Sequence, residues 1–191
     1  GLLLERFDPR RGELEARPLR SVFEPGDAWL DTRDLVRVDE AGDYWLVDSV
    51  RDVVQSARGA VATREIEDAL TDGLDAIELA AVYGFGLPGQ SHEILIAALS
   101  IRPDAKLDPV ALRRVVSHRL RPRQRPVVVR VLDALPMTGG HRTRKRTLRR
   151  EGLGLEDAAG QTLWLAPGEP GYAPLSDEDV DELRAMQGEG R

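Results

Sequence analysis

The sequence contains no cysteine, and this absence excludes a disulfide framework, thiol catalysis and thiolate metal sites. Its three histidines, His92, His118 and His141, are too widely spaced to suggest a metal cluster, so no metal site is expected. Aromatic residues make up only 5% of the chain, so a core must be built mainly of Leu, Val, Ile and Ala. No apolar run approaches the roughly 20 residues that a membrane-spanning helix needs, and a cytoplasmic protein is expected.

What the chain does have is an uneven distribution of charge. Its 191 residues carry a net charge of −6, but residues 102–150 hold 15 basic and 3 acidic side chains between acidic flanks. This basic block is typical of a site for nucleic acid, nucleotide phosphate or an anionic membrane surface, the last implying peripheral membrane contact. It is equally typical of a solvated face that the acidic segments of the same protein neutralise.

The hydrophobic pattern predicts an α+β protein. Alternating residues on both sides of the Asp39–Asp43 turn indicate a β-hairpin. After residue 52 the pattern predicts the order β-α-β-β-α-β-α, in which Thr63 caps the first helix and Glu67 lies in its first turn. Apolar runs over residues 77–85 and 93–101 predict two strands, and Asp108-Pro109 predicts the start of the second helix. Ser176 is expected to cap a further, acidic helix near the C-terminal end.

Several short motifs follow one another along the chain. They are Gly26-Asp27, Thr32-Arg33-Asp34, Tyr44 to Asp52, Glu65-Ile66-Glu67 and Pro136-Met137-Thr138-Gly139-Gly140-His141-Arg142. Later come Arg144-Lys145, Arg150-Glu151-Gly152-Leu153 and Gly171-Tyr172-Ala173-Pro174-Leu175. The ordered set resembles the C-terminal portion of the adenylate-forming superfamily of acyl-CoA synthetases. The later motifs are most similar to its branch of fatty acid transport proteins and very-long-chain acyl-CoA synthetases.

This resemblance implies a domain organisation. Residues 1–51 would be the β-rich, hairpin-containing end of a large N-terminal adenylation domain, and residues 52–150 a small, mobile α+β lid domain. Residues 151–191 would form an acidic tail with a short helix. The sequence does not begin with Met, so we expect a piece of a longer protein whose missing N-terminal adenylation domain is its partner.

The resemblance also implies a reaction. The family joins a carboxylate to AMP with release of pyrophosphate and then exchanges AMP for a thiol. The chain is therefore expected to act in an ATP-dependent fatty (or other carboxylic) acid–CoA ligase, using ATP/AMP and CoA and handing the acyl group to CoA or an acyl carrier. Mg would be held outside this portion, and the fragment alone is expected to be inactive.

Family positions assign roles to several residues of this sequence. Asp34 fills the slot of a carboxylate that accepts the ribose hydroxyls, and Asp52 fills the hinge about which the lid rotates. The arginine that also touches the ribose is replaced by Ser49, two residues before Arg51. If this stretch is extended, Arg51 projects to the same side and can substitute; otherwise it is a surface charge.

The motif from Pro136 to Arg142, here called the lid loop, supplies the remaining predicted contacts. Thr138 and Gly139 are expected to approach the nucleotide, and Arg142 occupies the slot of a lysine that contacts the phosphate and carboxylate oxygens. Lys145 lies nearly one helical turn later and could project to the same side. The alternative is that the helix from Arg142 onward is only a solvated basic surface.

Three positions near the nucleotide depart from the family pattern, namely Arg33, Ser49 and Arg142. They keep open a second hypothesis, a degenerate relative that does not adenylate and acts as a binding or partner domain. A third hypothesis, a nucleic-acid-binding module, is disfavoured because the basic block has no aromatic residue for base stacking and is interrupted by Pro122 and Pro126.

Overall fold

The computed structural model describes residues 1–7, 17–156 and 160–188. Its contacts divide the chain into two compact units, one ending at Arg51 and the other beginning at Asp52. Each unit has its own sheet.

The first unit is an antiparallel sheet built around one long strand. Its strands are β1 (Leu2–Arg6), β2 (Leu19–Arg20), β3 (Ala28–Val38) and β4 (Tyr44–Ser49), and β3 pairs with all three others. The predicted hairpin is β3–β4, in which Val38 pairs with Tyr44. The pairing register shifts between Leu35 and Val36. Val36 is the one buried apolar residue among those described in this unit, so the sheet has little core of its own.

The second unit opens with a small hairpin and a helix and then forms a five-stranded sheet. The hairpin is β5 (Val54–Ser56) and β6 (Gly59–Val61), and the first helix is α1 (Arg64–Thr71). Next come strands β7 (Ile77–Gly86) and β8 (Glu93–Ile101), helix α2 (Pro109–Arg119), a 3-10 turn (Pro122–Gln124) and β9 (Val128–Leu132). Helix α3 (Lys145–Glu151), β10 (Gln161–Trp164), β11 (Ala173–Pro174) and α4 (Asp179–Gly188) complete the unit.

The sheet order is β11-β10-β9-β8-β7, with β8 and β9 parallel and the other neighbours antiparallel. Helix α2 makes the connection that two parallel strands require. Asp108 begins it as predicted, because its carboxylate accepts hydrogen bonds from the backbone N–H groups of Val110 and Ala111.

Both faces of this sheet are buried, which explains the nearly continuous apolar sequence of β8. Leu95, Ala97 and Leu99 pack on the face covered by α1 and α2, whereas Ile94, Ile96 and Ala98 pack on the face covered by α3 and α4. Successive side chains of a strand point to opposite faces, so a strand covered on both sides must be apolar throughout. The predicted α+β fold is confirmed.

The C-terminal residues are part of this core. Strand β10 pairs with β9 from Gln161↔Val131 to Trp164↔Val128, and Leu163 and Trp164 are buried on opposite faces. The sequence pattern did not predict β6, β10 or β11, which have two to four residues each.

Candidate functional site

Asp34 lies in β3, opposite Ser49 of β4. Its backbone N–H donates to Thr32 Oγ1 at 3.2 Å, and that hydroxyl donates to the carbonyl of Leu3 at 2.8 Å. Within the described part of the chain, the carboxylate of Asp34 has no hydrogen bond or ion pair, and the residue is half-buried. Both carboxylate oxygens are therefore free to accept hydrogen bonds from a ligand.

Arg33 occupies the glycine slot of its motif and keeps a glycine-like backbone. Its φ of 63° lies in the left-handed region, which side chains other than glycine rarely adopt. Asp31 stabilises this conformation, since its carboxylate accepts from the Arg33 backbone N–H at 2.8 Å and pairs with Arg33 Nε at 3.0 Å. Arg33 thus has the backbone conformation that glycine adopts readily, and it adds a charged side chain at this position.

The sequence places Arg51 on the same side as Ser49 only if this stretch is extended, and the structure has a turn here instead. Strand β4 ends at Ser49, and Val50 and Arg51 lie in a turn, with the Val50 N–H donating to the Arg33 carbonyl at 2.9 Å. Arg51 and Ser49 therefore do not share a strand face. The exposed Arg51 side chain has no hydrogen bond or ion pair among described residues, and its nucleotide contact stays a prediction.

Asp27, from the first motif, anchors the loop before β3. Its carboxylate accepts from the backbone N–H groups of Val22, Phe23 and Glu24 and from the Trp29 indole, at 2.7 to 2.9 Å. Burial pushes the pKa of Asp27 upward, but these hydrogen bonds outweigh it and lower that pKa to about 2. This aspartate therefore has a structural role in the loop.

In the second unit, the lid loop is closed by its own backbone. The Thr138 N–H donates to the Arg142 carbonyl at 2.8 Å, and the Arg142 N–H donates to Thr138 Oγ1 at 3.1 Å. The left-handed residue of the turn is His141, with φ of 57°, and neither Gly139 nor Gly140 has a positive φ. Thr138 and Arg142 thus close a hydrogen-bonded turn around the two glycines.

Arg142 leaves this turn as an exposed cation. Its guanidinium has no hydrogen bond or ion pair with any residue that the structure describes. Gly139, beside it in the turn, has open space where a side chain would be, with no atom within 4 Å. The loop thus presents a positive charge and accessible backbone together, which is an arrangement suited to an anion.

Lys145, the other predicted cation, has its ammonium group occupied. The Nζ atom lies 2.7 Å from Thr63 Oγ1, 2.8 Å from Glu67 Oε1 and 3.8 Å from Asp52 Oδ2. Its side chain is only 11% exposed, whereas Arg142 is open to solvent. The structure therefore brings together Lys145 and the predicted hinge residue Asp52, and it separates the environments of Lys145 and Arg142.

Sequence reasoning did not identify a second charged group, Arg130, which is 1% exposed in β9. Its guanidinium donates to the Tyr83 hydroxyl at 3.1 Å and pairs with Glu151 at 3.0 Å, and that hydroxyl donates to the Gly152 carbonyl at 2.8 Å. Burial raises the pKa of Tyr83. The available signal was a lone arginine inside the β-branched run of a central strand.

Two absences concern only residues 1–7, 17–156 and 160–188. In these ranges no cluster of three or more His, Asp or Glu side chains has the arrangement of a metal site. In the same ranges no helix has the length and apolar character needed to cross a membrane.

The curated relatives of the chain include fatty acid transport proteins and a fatty acid–CoA ligase. The chain is 31% identical over 117 residues to long-chain fatty acid transport protein 1 of Homo sapiens, covering 61% of this chain and 18% of that protein. It is 31% identical over 137 residues to the medium/long-chain-fatty-acid–CoA ligase FadD6 of Mycobacterium tuberculosis, covering 72% and 23%. The chain thus spans about a fifth of the length of these curated relatives. No family profile matches it.

Solved structures agree with this. The amide bond synthetase McbA from Marinactinospora thermotolerans superposes with a TM-score of 0.57 at 30% identity, over 64% of this chain and 25% of that one. ATP-bound MatB from Rhodopseudomonas palustris shares the fold, with a TM-score of 0.59 at 24% identity over 64% of this chain and 24% of that one. Together with the ordered motifs and the α+β fold, these matches show that the chain belongs to the adenylate-forming (acyl-CoA synthetase) superfamily.

Proposed function

We propose that the chain forms the hinge and lid of an ATP-dependent ligase that joins a fatty acid, or another carboxylic acid, to CoA through an acyl-adenylate. The observation that carries this proposal is the state of Arg142. Its unpaired guanidinium stands on a turn closed by hydrogen bonds to Thr138, in the slot where the family places its lid cation. A guanidinium can bridge two anionic oxygens, which suits a phosphate or a carboxylate.

Each unit, taken by itself, has residues that fit one part of a nucleotide. ATP, when bound, supplies the adenylyl group that activates a carboxylate. Asp34 would hold the ribose, because its free carboxylate can accept hydrogen bonds from two hydroxyl groups. Arg142 would neutralise negative charge on the reacting oxygens, and the open backbone at Gly139 leaves room for their approach.

The proposal includes a partner, the large N-terminal adenylation domain that the family resemblance implies. The first unit supports it, because large apolar side chains of its sheet and loops are exposed. Phe23 and Tyr44 are each 67% exposed and Trp45 is 51% exposed, more than a sheet with its own core would leave in water. Mg and the acyl chain would be held by that domain, so the chain alone is expected to be inactive.

Pyrophosphate release tests this function. The full-length protein, supplied with ATP, Mg and a fatty acid such as palmitate, should release pyrophosphate, and Arg142→Ala should slow release by more than about tenfold. Arg146→Ala is the matched control, since Arg146 is exposed on the following helix and should leave the rate unchanged.

Two outcomes would contradict parts of the proposal. Unchanged release in Arg142→Ala would remove that residue from the mechanism. Absence of release by the wild type with every carboxylic acid tried would instead support a degenerate, non-adenylating relative.

A further inference from the structure

Lys145 connects three parts of the second unit through one ammonium group. It reaches Thr63 at the start of α1, Glu67 one turn further along α1, and Asp52 at the first position of the unit. Thr63 is fully buried, and its partner Lys145 lies 82 residues away in sequence. An ammonium has three donors and no acceptor; Thr63 and Glu67 take two of them, and the carboxylate charge of Asp52 lies 3.8 Å away.

Two side chains of α3 contact the carboxylate of Asp52. Its Oδ2 faces Lys145 at 3.8 Å, and its Oδ1 faces Arg149 Nη2 at 3.4 Å. Residues four apart lie on one face of a helix, so α3 presents two cations to the two oxygens of one carboxylate. The side chain of the hinge residue is thereby fixed to α3.

Glu67 fastens the other side of the cluster. Its Oε1 accepts from the Val82 backbone N–H at 2.7 Å as well as pairing with Lys145 at 2.8 Å. Thr63 stands at the helix-capping position of α1, but its side chain makes no cap hydrogen bond and its hydroxyl instead accepts from Lys145. The start of α1 and strand β7 are thus both tied to the first residue of α3.

The lid loop ends where this cluster begins. Arg142 is three residues before Lys145, and the Arg144 N–H donates to the Pro136 carbonyl at 2.7 Å. A loop closed by its own hydrogen bonds moves as one piece, so its direction depends on how the start of α3 is held. Lys145 is the first residue of α3, and its side chain is largely buried.

We propose that Lys145 is a positioning residue that fixes the hinge carboxylate of Asp52 and aims the lid loop carrying Arg142. This rests on the proposed function, in which Arg142 contacts the anionic oxygens. Lys145 acts on the reaction through Arg142 and does not itself touch substrate or nucleotide.

Kinetics of the full-length protein test the proposal first. Lys145→Met should lower kcat for pyrophosphate release by about tenfold with the KM for ATP changed less than about threefold, because ground-state contacts to ATP remain. If Lys145 acts through Arg142, the double variant Lys145→Met/Arg142→Ala should be no slower than Arg142→Ala alone. Losses that multiply, or a KM for ATP raised more than tenfold, would overturn the positioning role and indicate direct contact.

Hydrogen exchange on the 191-residue chain gives a measurement that does not require ligase activity. Lys145→Met should speed amide exchange in α3 and at Thr138 and Arg144 by about tenfold or more, whereas the exposed control Arg146→Met should not. Equal exchange in the two variants would overturn the proposal. If Lys145→Met does not fold, Glu67→Gln keeps the shape and removes the carboxylate charge, and the same acceleration is expected.

The two measurements separate the two proposals. An inactive wild type in which Lys145→Met still accelerates exchange in the lid loop would refute the ligase and retain the positioning contact. An active wild type with no change in exchange would do the reverse.

Discussion

The guanidinium of Arg130 donates to the hydroxyl of Tyr83 at 3.1 Å, across the sheet from β9 to β7. The same hydroxyl donates a hydrogen bond to the Gly152 carbonyl at the end of α3. One end of α3 is therefore held to the sheet through Arg130 and Tyr83, and the other end is held to α1 through Lys145. A short helix of seven residues depends on such tertiary contacts, since isolated helices of this length are unstable.

Replacing the buried arginine should destabilise the second unit. Arg130→Met removes the donor to the Tyr83 hydroxyl and the ion-pair partner of Glu151, and we expect the free energy of unfolding to fall by about 2 kcal/mol. Urea denaturation of the purified chain measures it. Arg150→Met, at an exposed position next to Glu151, is the control and should change stability by less than about 0.5 kcal/mol. Equal losses would show that the buried network contributes nothing.

Gly154 should not tolerate a side chain, for two separable reasons. Its φ is 67°, and a Cβ there would overlap the guanidinium of Arg130. Gly168 has a similar φ of 81° but nothing within 4 Å, so Gly168→Ala carries the backbone strain alone, about 1 kcal/mol. Gly154→Ala should lose at least about 1 kcal/mol more, because the guanidinium must move. Equal thermal shifts would argue against this close contact.

The stability of the first unit should depend on pH through Asp27. Its pKa is lowered to about 2 in the folded chain from an ordinary value of 3.8, so its carboxylate stabilises the fold above pH 3.8. That contribution is lost as the pH falls from 3.8 toward 2, when the carboxyl becomes protonated. Asp27→Asn should reduce this acid sensitivity, as followed between pH 2 and 6 by fluorescence in a background where Trp45 and Trp164 are replaced by Phe, which leaves Trp29 as the reporter. Asp43→Asn is the control, because the Asp43 carboxylate has no partner among described residues. An unchanged pH profile in Asp27→Asn would contradict the assignment.

The sequence alone predicted the elements whose signals are local. The hairpin of β3 and β4, the Asp108 cap of α2 and the apolar runs of β7 and β8 all follow from spacing that a few neighbouring residues define. Strands as short as β6, β10 and β11 carry too few alternating positions to be recognised.

The site was predicted less completely, because its contacts join distant residues. Arg130 was missed since arginine is seldom fully buried, and only the fold brings Tyr83 to it. Thr63 was expected to cap its own helix, but the packing of α3 turns its hydroxyl toward Lys145. Sequence spacing placed Lys145 one turn from Arg142 and could not show that three oxygens already surround its ammonium.

The pairing of β9 with β10 has a consequence for engineering. Because Val131 and Gln161 are direct neighbours in an antiparallel ladder, the loop and helix α3 that lie between them in sequence are flanked by adjacent positions of the sheet. The lid loop and α3 therefore form a cassette with fixed, adjoining ends. Such a segment can be exchanged between relatives without altering strand register, provided that the replacement keeps partners for Asp52, Thr63 and Glu67 on the rest of the unit.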